Sequence, residues 1–150
     1  MPTFQFRLAP VLRLRERTKE EKETELRALN LERARRESAL SALVAELDQL
    51  GSDLNAQTGL TLAPMDLKLW DEYQQLLIAS IERKRRELAA LNQQAERKRQ
   101  ELTEAMREVK SLEILRHRLA EQFRRAQNLA EQKFLDELGQ ARRARRVGGQ

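Results

Sequence analysis

The 150-residue chain has no cysteine, three prolines, five glycines, one histidine and an aromatic content of only 4%. Each shortage removes a class of protein. Without thiols there is no disulfide framework, no thiol nucleophile and no cysteine-based metal site, which suits a reducing cytosol. Few aromatics beside 35% charged residues leave too little apolar bulk for a compact globule. No apolar run approaches the roughly 18 residues that a membrane span needs. The opening Met1, Pro2, Thr3, Phe4 also lacks the apolar core of a signal peptide, so a cytoplasmic location is expected. No Gly-rich phosphate loop, zinc-binding HExxH or nucleophile elbow occurs, and the chain reads as a non-enzyme with no catalytic, cofactor-binding or metal-binding residues. The single histidine, His117, stands between Arg116 and Arg118 with no second ligand type clustered nearby, and reads as a solvated surface residue.

Charge, by contrast, is plentiful and of both signs, with 29 Lys and Arg against 24 Asp and Glu and a formal net charge of +5. Its placement matters more than its total. Residues 1–138 hold 25 basic and 24 acidic side chains, and the other four positive charges are Arg142, Arg143, Arg145 and Arg146. The body is nearly neutral and the end is basic. With no aromatic interleaving and no basic groove along the body, that end reads as a solvated helix terminus favoured by its own dipole, and no nucleic-acid partner is expected. Stretches such as residues 19–25 alternate in sign, the pattern of a solvated face laced with ion pairs.

What organises the chain is periodicity. With Leu67 at heptad position a, residues 67–138 carry apolar side chains at most a positions (Leu67, Ile81, Leu88, Ala95, Leu102, Val109, Phe123) and most d positions (Trp70, Leu77, Leu91, Ala105, Leu112, Leu119). Such a seam needs a facing helix to supply the holes for its knobs. A second seam precedes it, strong from Leu40 to Leu54 and weak over residues 15–25, which hold no large apolar residue. Gly51, Ser52, Asn55, Thr58, Gly59 and Pro64 cluster between the two, and Thr61 and Asp66 are candidate caps for the helix that follows. The spacing predicts an all-α fold, a two-helix antiparallel coiled-coil hairpin forming a single domain over residues 1–150. Helix 1 is expected at about 9–54, the turn at about 55–64, helix 2 at about 65–140 and a basic tail at 141–150. At 1.5 Å per residue the helices would measure ~70 and ~110 Å, so the second overhangs the first.

In an antiparallel pair the numbers of facing residues have a constant sum. A sum of 117 sets Leu47 opposite Trp70, Leu40 opposite Leu77 and Leu12 opposite Ala105, and gives more wholly apolar layers than the alternative sum of 124. On apolar burial the first is preferred, although it sets Arg33 beside Lys84 and Lys19 beside Lys98. It also leaves some thirty residues of helix 2 without a partner, among them Leu119, Phe123, Ala126, Ala130 and Phe134, with Phe4 and Phe6 near enough to fold over the first turn. An apolar stripe of that length marks a partner site or a self-association seam.

Two phrases are not demanded by heptads. The opening Phe4, Gln5, Phe6, Arg7, Leu8, followed by Val11, Leu12 and Leu14, Arg15, Glu16, Arg17, is one. Trp70 with Tyr73, Gln74, Gln75, Leu76 and Leu77 just after the turn is the other. Together, and in this order along the whole chain, they resemble the flagellar export protein FliJ. The resemblance implies a stalk-like coiled coil in the cytosolic part of the bacterial flagellar type III protein export apparatus, peripheral at the inner membrane. Its implied partners are the hexameric export ATPase, whose ring it enters, the cytosolic domain of the export gate membrane protein, and export chaperones. The Arg-rich end departs from some members of the family. The stalk protein of injectisomes and a self-associating structural coiled coil are the alternatives.

Under that resemblance the partner-binding residues are placed in two groups. Phe6, Leu8, Val11 and Leu12 of the opening phrase, with Leu119, Phe123 and Arg124 of the overhang, are assigned to the ATPase end. Tyr73 and Leu76 fall at heptad positions g and c, so Leu76 at least points away from helix 1, and both are assigned to the export gate.

Overall fold

The computed structural model describes residues 2–57 and 63–149. Two helices account for nearly all of them, α1 (Ala9–Ala56) and α2 (Pro64–Gly148), and no strand occurs among the described residues. Their sequences are dominated by Leu, Ala, Glu, Arg, Lys and Gln, the residues that lose least on entering a helix. Each helix opens on a proline in its first turn, where a missing N–H costs nothing. The Leu12 N–H donates to Leu8 O at 2.9 Å, closing the first turn over Pro10. At α2 the Asp66 and Leu67 N–H groups donate to Ala63 O at 3.0 and 3.3 Å, so Ala63 is the residue that caps, while Asp66 lies in the first turn with its charge toward the positive end of the helix dipole. Thr61, the other candidate cap, lies outside the described residues. At its far end α2 continues as helix through the four arginines to Gly148.

The fold is an all-α helical hairpin, and its residues gather into two compact units, each containing a piece of both helices. The described residues of Glu20–Thr103 form one. Its buried side chains are Leu77, Ile81 and Ala95, all on the anticipated a and d positions of α2. Ion pairs between the helices fix the register: Arg36 Nη1 to Glu87 Oε2 at 2.6 Å, Lys22 Nζ to Glu101 Oε2 at 3.0 Å, and Lys98 Nζ to Glu25 Oε2 at 2.7 Å. The residue numbers of each pair sum to 123, and each glutamate occupies position g, next to the seam. Seam residues themselves therefore face one another at a sum of 124.

The expected sum of 117 is thus not adopted, and the reason is electrostatic. A sum of 117 puts seam cations of the two helices in the same layers. A sum of 124 sets Arg36 across from Leu88, Arg33 from Leu91 and Lys22 from Leu102, so each cationic stem lies over an apolar neighbour and its head group turns outward. For Arg36, Lys22 and Lys98 the head group meets a g-position glutamate. With the charge pairs included, the register having fewer wholly apolar layers is the better one. The weak stretch of α1 is part of the same solution: Lys22 and Glu25 are held by Glu101 and Lys98 rather than by buried leucines.

The other unit comprises the described residues up to Lys19 and from Glu104 onward. Leu12, 3% exposed, Ala105 and Val109 are its buried residues, and Arg15 Nη1 pairs with Glu108 Oε2 at 3.2 Å, again a pair summing to 123. Ahead of α1, Pro2 and Phe4 lie against α2. Phe4 packs on Phe123 with ring centroids 5.8 Å apart and planes tilted by 48°, and Gln127 Nε2 donates to Pro2 O at 3.0 Å. From residue 4 to residue 2 the contacts advance four residues along α2, about 6 Å, so this segment is extended. Phe4 and Phe6 are half-buried and Thr3, Gln5 and Arg7 exposed, the alternation of an extended strap with one face down.

Residues 2–8 and the adopted register together shorten the expected overhang. Leu112, Phe123 and Gln127 are half-buried, and the exposed apolar residues concentrate farther on, at Leu129, Phe134, Leu135 and Leu138.

Candidate partner-binding surfaces

The unit that holds the chain start brings together most of the residues assigned to the ATPase end. Phe123 is presented by α2 and half covered by Phe4, whose place is set by the turn that starts α1 and by the Gln127 bond to Pro2. Leu8, Val11 and Leu119 are exposed in the same unit, Phe6 is half-buried, and Arg124 is exposed with Nη2 3.7 Å from Glu121 Oε1. Leu12 is different. At 3% exposure it faces the inside of the hairpin, so its role is packing and it offers no surface to a partner in this conformation. The heptad position of Leu12 already carried that information, since it is the first a residue of α1, and its membership of the opening phrase outweighed it.

Beyond the last contact of the strap, Pro2, Gln127, Ala130, Glu131 and Phe134 line an open groove of about 310 Å³. Gln127, Ala130 and Phe134 were not among the assigned site residues. Ala130 and Phe134 are signalled by their place in the apolar stripe of the overhang, and the Phe-x-Phe alternation ahead of Pro10 marks the residues before the turn at 7–8 as extended and therefore able to reach about twice as far per residue as a helix would. His117 is exposed, with Nε2 3.4 Å from Glu121 Oε1, one turn along the helix.

The second group lies in the unit formed by Glu20–Thr103. Leu76 is 68% exposed, pointing away from α1 as its c position requires. Tyr73 is partly exposed, and its hydroxyl donates to the Glu46 carboxylate of α1. That bond, made to the protonated phenol, raises the Tyr73 pKa above its ordinary value, with burial and the Glu46 charge acting in the same direction. Leu50, Leu69, Trp70 and Tyr73 line a shallow cleft of about 230 Å³ beside it. The surface therefore offers an apolar knob, a cleft and a fixed phenol, a set suited to a protein contact.

Residues 4–148 match the family model described as Flagellar FliJ protein. The match takes in both phrases and both helices. The chain belongs to the FliJ family. With that membership it is a flagellar, export-associated protein, and the helical hairpin is the form that this FliJ-family chain takes. No curated protein and no solved structure matches it. Among the described residues no helix is long and apolar enough to cross a membrane, and no three His, Asp or Glu side chains gather where they would hold a metal ion. The chemistry that these FliJ surfaces offer is apolar contact, ion pairing and hydrogen bonding.

Proposed function

We propose that this FliJ-family chain is a non-enzymatic, stalk-like component of the flagellar type III export apparatus, acting in the cytoplasm at the inner membrane. The unit containing the chain start and the far part of α2 enters the ring of the hexameric export ATPase. The Tyr73 and Leu76 surface meets the cytosolic domain of the export gate protein, and export chaperones are handled in the same setting. The observation that carries this reading is the family match across 4–148, which spans the opening phrase, the Trp70 phrase and the whole of both seams. Two features support it. Leu129, Phe134, Leu135 and Leu138 stay exposed on α2 after the last contact of residues 2–8, and burying them against pore loops recovers a hydrophobic stabilisation that water denies. Arg124, Arg125 and the four terminal arginines flank them, which favours an acidic lining.

The test is a binding measurement against the purified hexamer. The full chain is expected to bind, and a chain ending at residue 128 to keep its hairpin but lose most of its affinity. If the shortened chain bound at full strength, the contact would lie elsewhere on the hairpin. The same exposed stripe also suits self-association, and sedimentation of the full chain across concentrations separates that reading, because a stripe reserved for the ATPase leaves the free chain a monomer.

A further inference from the structure

We propose that residues 2–8 are a displaceable cover over the α2 face that the ATPase takes, so that binding exchanges an internal contact for an external one. The proposal rests on the reading of the ATPase as partner given above. Three observations lead to it. First, the strap occupies a place that other apolar groups would fit: Phe4 lies on Phe123, and Pro2 shares an open groove with Gln127, Ala130 and Phe134. Second, its hold is slight among the described residues. The tilted Phe4 and Phe123 rings and the bond from Gln127 to the Pro2 carbonyl secure it, Phe4 and Phe6 remain half-exposed, and residues 2–6 have no helical or sheet ladder to make their opening cooperative. Third, its root is firm. The Ala9 N–H donates to Phe6 O at 3.1 Å and the Leu12 N–H to Leu8 O, so the strap swings from a fixed helix start and returns to the same seat.

A cover of this kind lowers the apparent affinity of the site by the fraction of time that the site is open. It also keeps Phe123 from meeting a second copy of the chain before the ATPase is reached, since an uncovered aromatic on an exposed helix face is a ready seat for another apolar surface.

The absence of native cysteine makes the test specific. In the full chain carrying Pro2→Cys and Gln127→Cys, a short bismaleimide joins strap to helix, and the same chain capped at both thiols with a monofunctional maleimide is the control. Titrated with the hexameric ATPase, the capped chain should bind and the joined chain should bind roughly tenfold or more weakly. Phe4→Ala, which removes the strap contact without touching a residue assigned to the partner, should bind several-fold more tightly than the unmodified chain. Fluorescence of anilinonaphthalene sulfonate, a dye that brightens on apolar surface, should rise in Phe4→Ala and fall in the joined chain. Equal ATPase affinity of joined and capped chains would overturn the cover and leave the ATPase reading standing. An unchanged dye signal would show that the strap hides nothing. Binding by neither chain, with the dye response intact, would remove the ATPase as the partner while the cover itself remained.

Discussion

Gly51 inside α1 and Gly139 inside α2 have nothing within 4 Å of the point where a Cβ would stand, and both lie in regular helix. A methyl group there meets no neighbour and removes the backbone freedom that glycine keeps in the unfolded chain. Gly51→Ala should therefore stabilise the hairpin by about 0.5–1 kcal/mol, read as a higher melting temperature, and Gly139→Ala should raise the helical circular dichroism signal by a comparable helix-propensity gain. Leu12 marks the opposite case. Its side chain is enclosed, so Leu12→Ala removes packing that the thin hairpin can only partly close over, and a loss of about 2–3 kcal/mol is expected. Leu76→Ala, on an exposed c position, should leave the melting temperature within the small range of ordinary surface changes. Positions of this kind were legible residue by residue: Leu77, Ile81, Ala95, Ala105 and Val109 are buried where the heptad count placed them. Gln127 was not legible, because its partner is a backbone carbonyl at the far end of the chain and no local pattern announces that bond.

Between the helices, Lys22, Glu25, Lys98 and Glu101 form a closed set of alternating charges, with Lys22 at 3.9 and 3.0 Å and Lys98 at 2.7 and 3.3 Å from the carboxylates of Glu25 and Glu101. The Glu25 carboxyl is held below its ordinary value first by the hydrogen bond from Lys98, and the Glu101 carboxyl likewise by Lys22 and then Lys98. Lys98 is raised by its bonds to Glu25 and Glu101. The depressed carboxyls stabilise the fold above their unfolded pKa, and this contribution is lost as pH falls through the lower folded value. The raised Lys98 stabilises below the ordinary lysine value and loses its effect as pH rises through the higher folded one. Across the neutral range the set is fully formed, so melting temperature should begin to fall as pH drops through the ordinary glutamate value of 4.5 and continue falling below it. In Glu25→Gln with Glu101→Gln that acid limb should be shallower and the response to added salt weaker, as expected for exposed pairs that ions screen. An equally steep limb in the double variant would place the acid loss in other carboxylates. The same four residues explain why helix existence and seam position could be read from the sequence while register could not. Apolar periodicity fixes which face of each helix turns inward, but sliding by one heptad preserves that face, and the choice then falls to the few cations and glutamates that must find one another.

At the scale of the whole chain the decisive asymmetry is electrostatic. Leaving aside Arg142, Arg143, Arg145 and Arg146, the net charge falls from +5 to about +1, so nearly all of the excess resides on the last turns of one helix. The composition already showed this imbalance. It also pointed to a helix terminus there, although helix 2 was expected to end at about 140, and the helix in fact runs on through all four arginines to Gly148. The reason they stay helical is local: arginine and alanine are strong helix formers, and positive charge in the last turns complements the negative end of the dipole. Held on helix, the charges keep a fixed spacing from Phe134, Leu135 and Leu138, all exposed on the same element. An acidic partner surface would therefore be drawn to the basic end at long range and meet the apolar stripe at short range, with charge governing the rate of encounter and apolar burial the lifetime of the complex. Replacing the four arginines by glutamine should lower the association rate with the export ATPase about tenfold at low ionic strength while changing the dissociation rate much less. The difference should shrink as salt is raised, since at about 0.1 M the field of such a cluster extends only ~10 Å. Phe134→Ala with Leu138→Ala should do the reverse, leaving the association rate nearly unchanged and speeding dissociation. Stopped-flow association over a series of salt concentrations, with dissociation followed by dilution, measures both rates in one preparation. A loss of association rate in the glutamine variant that persisted undiminished in high salt would mean that these arginines make direct contacts and do not act by steering.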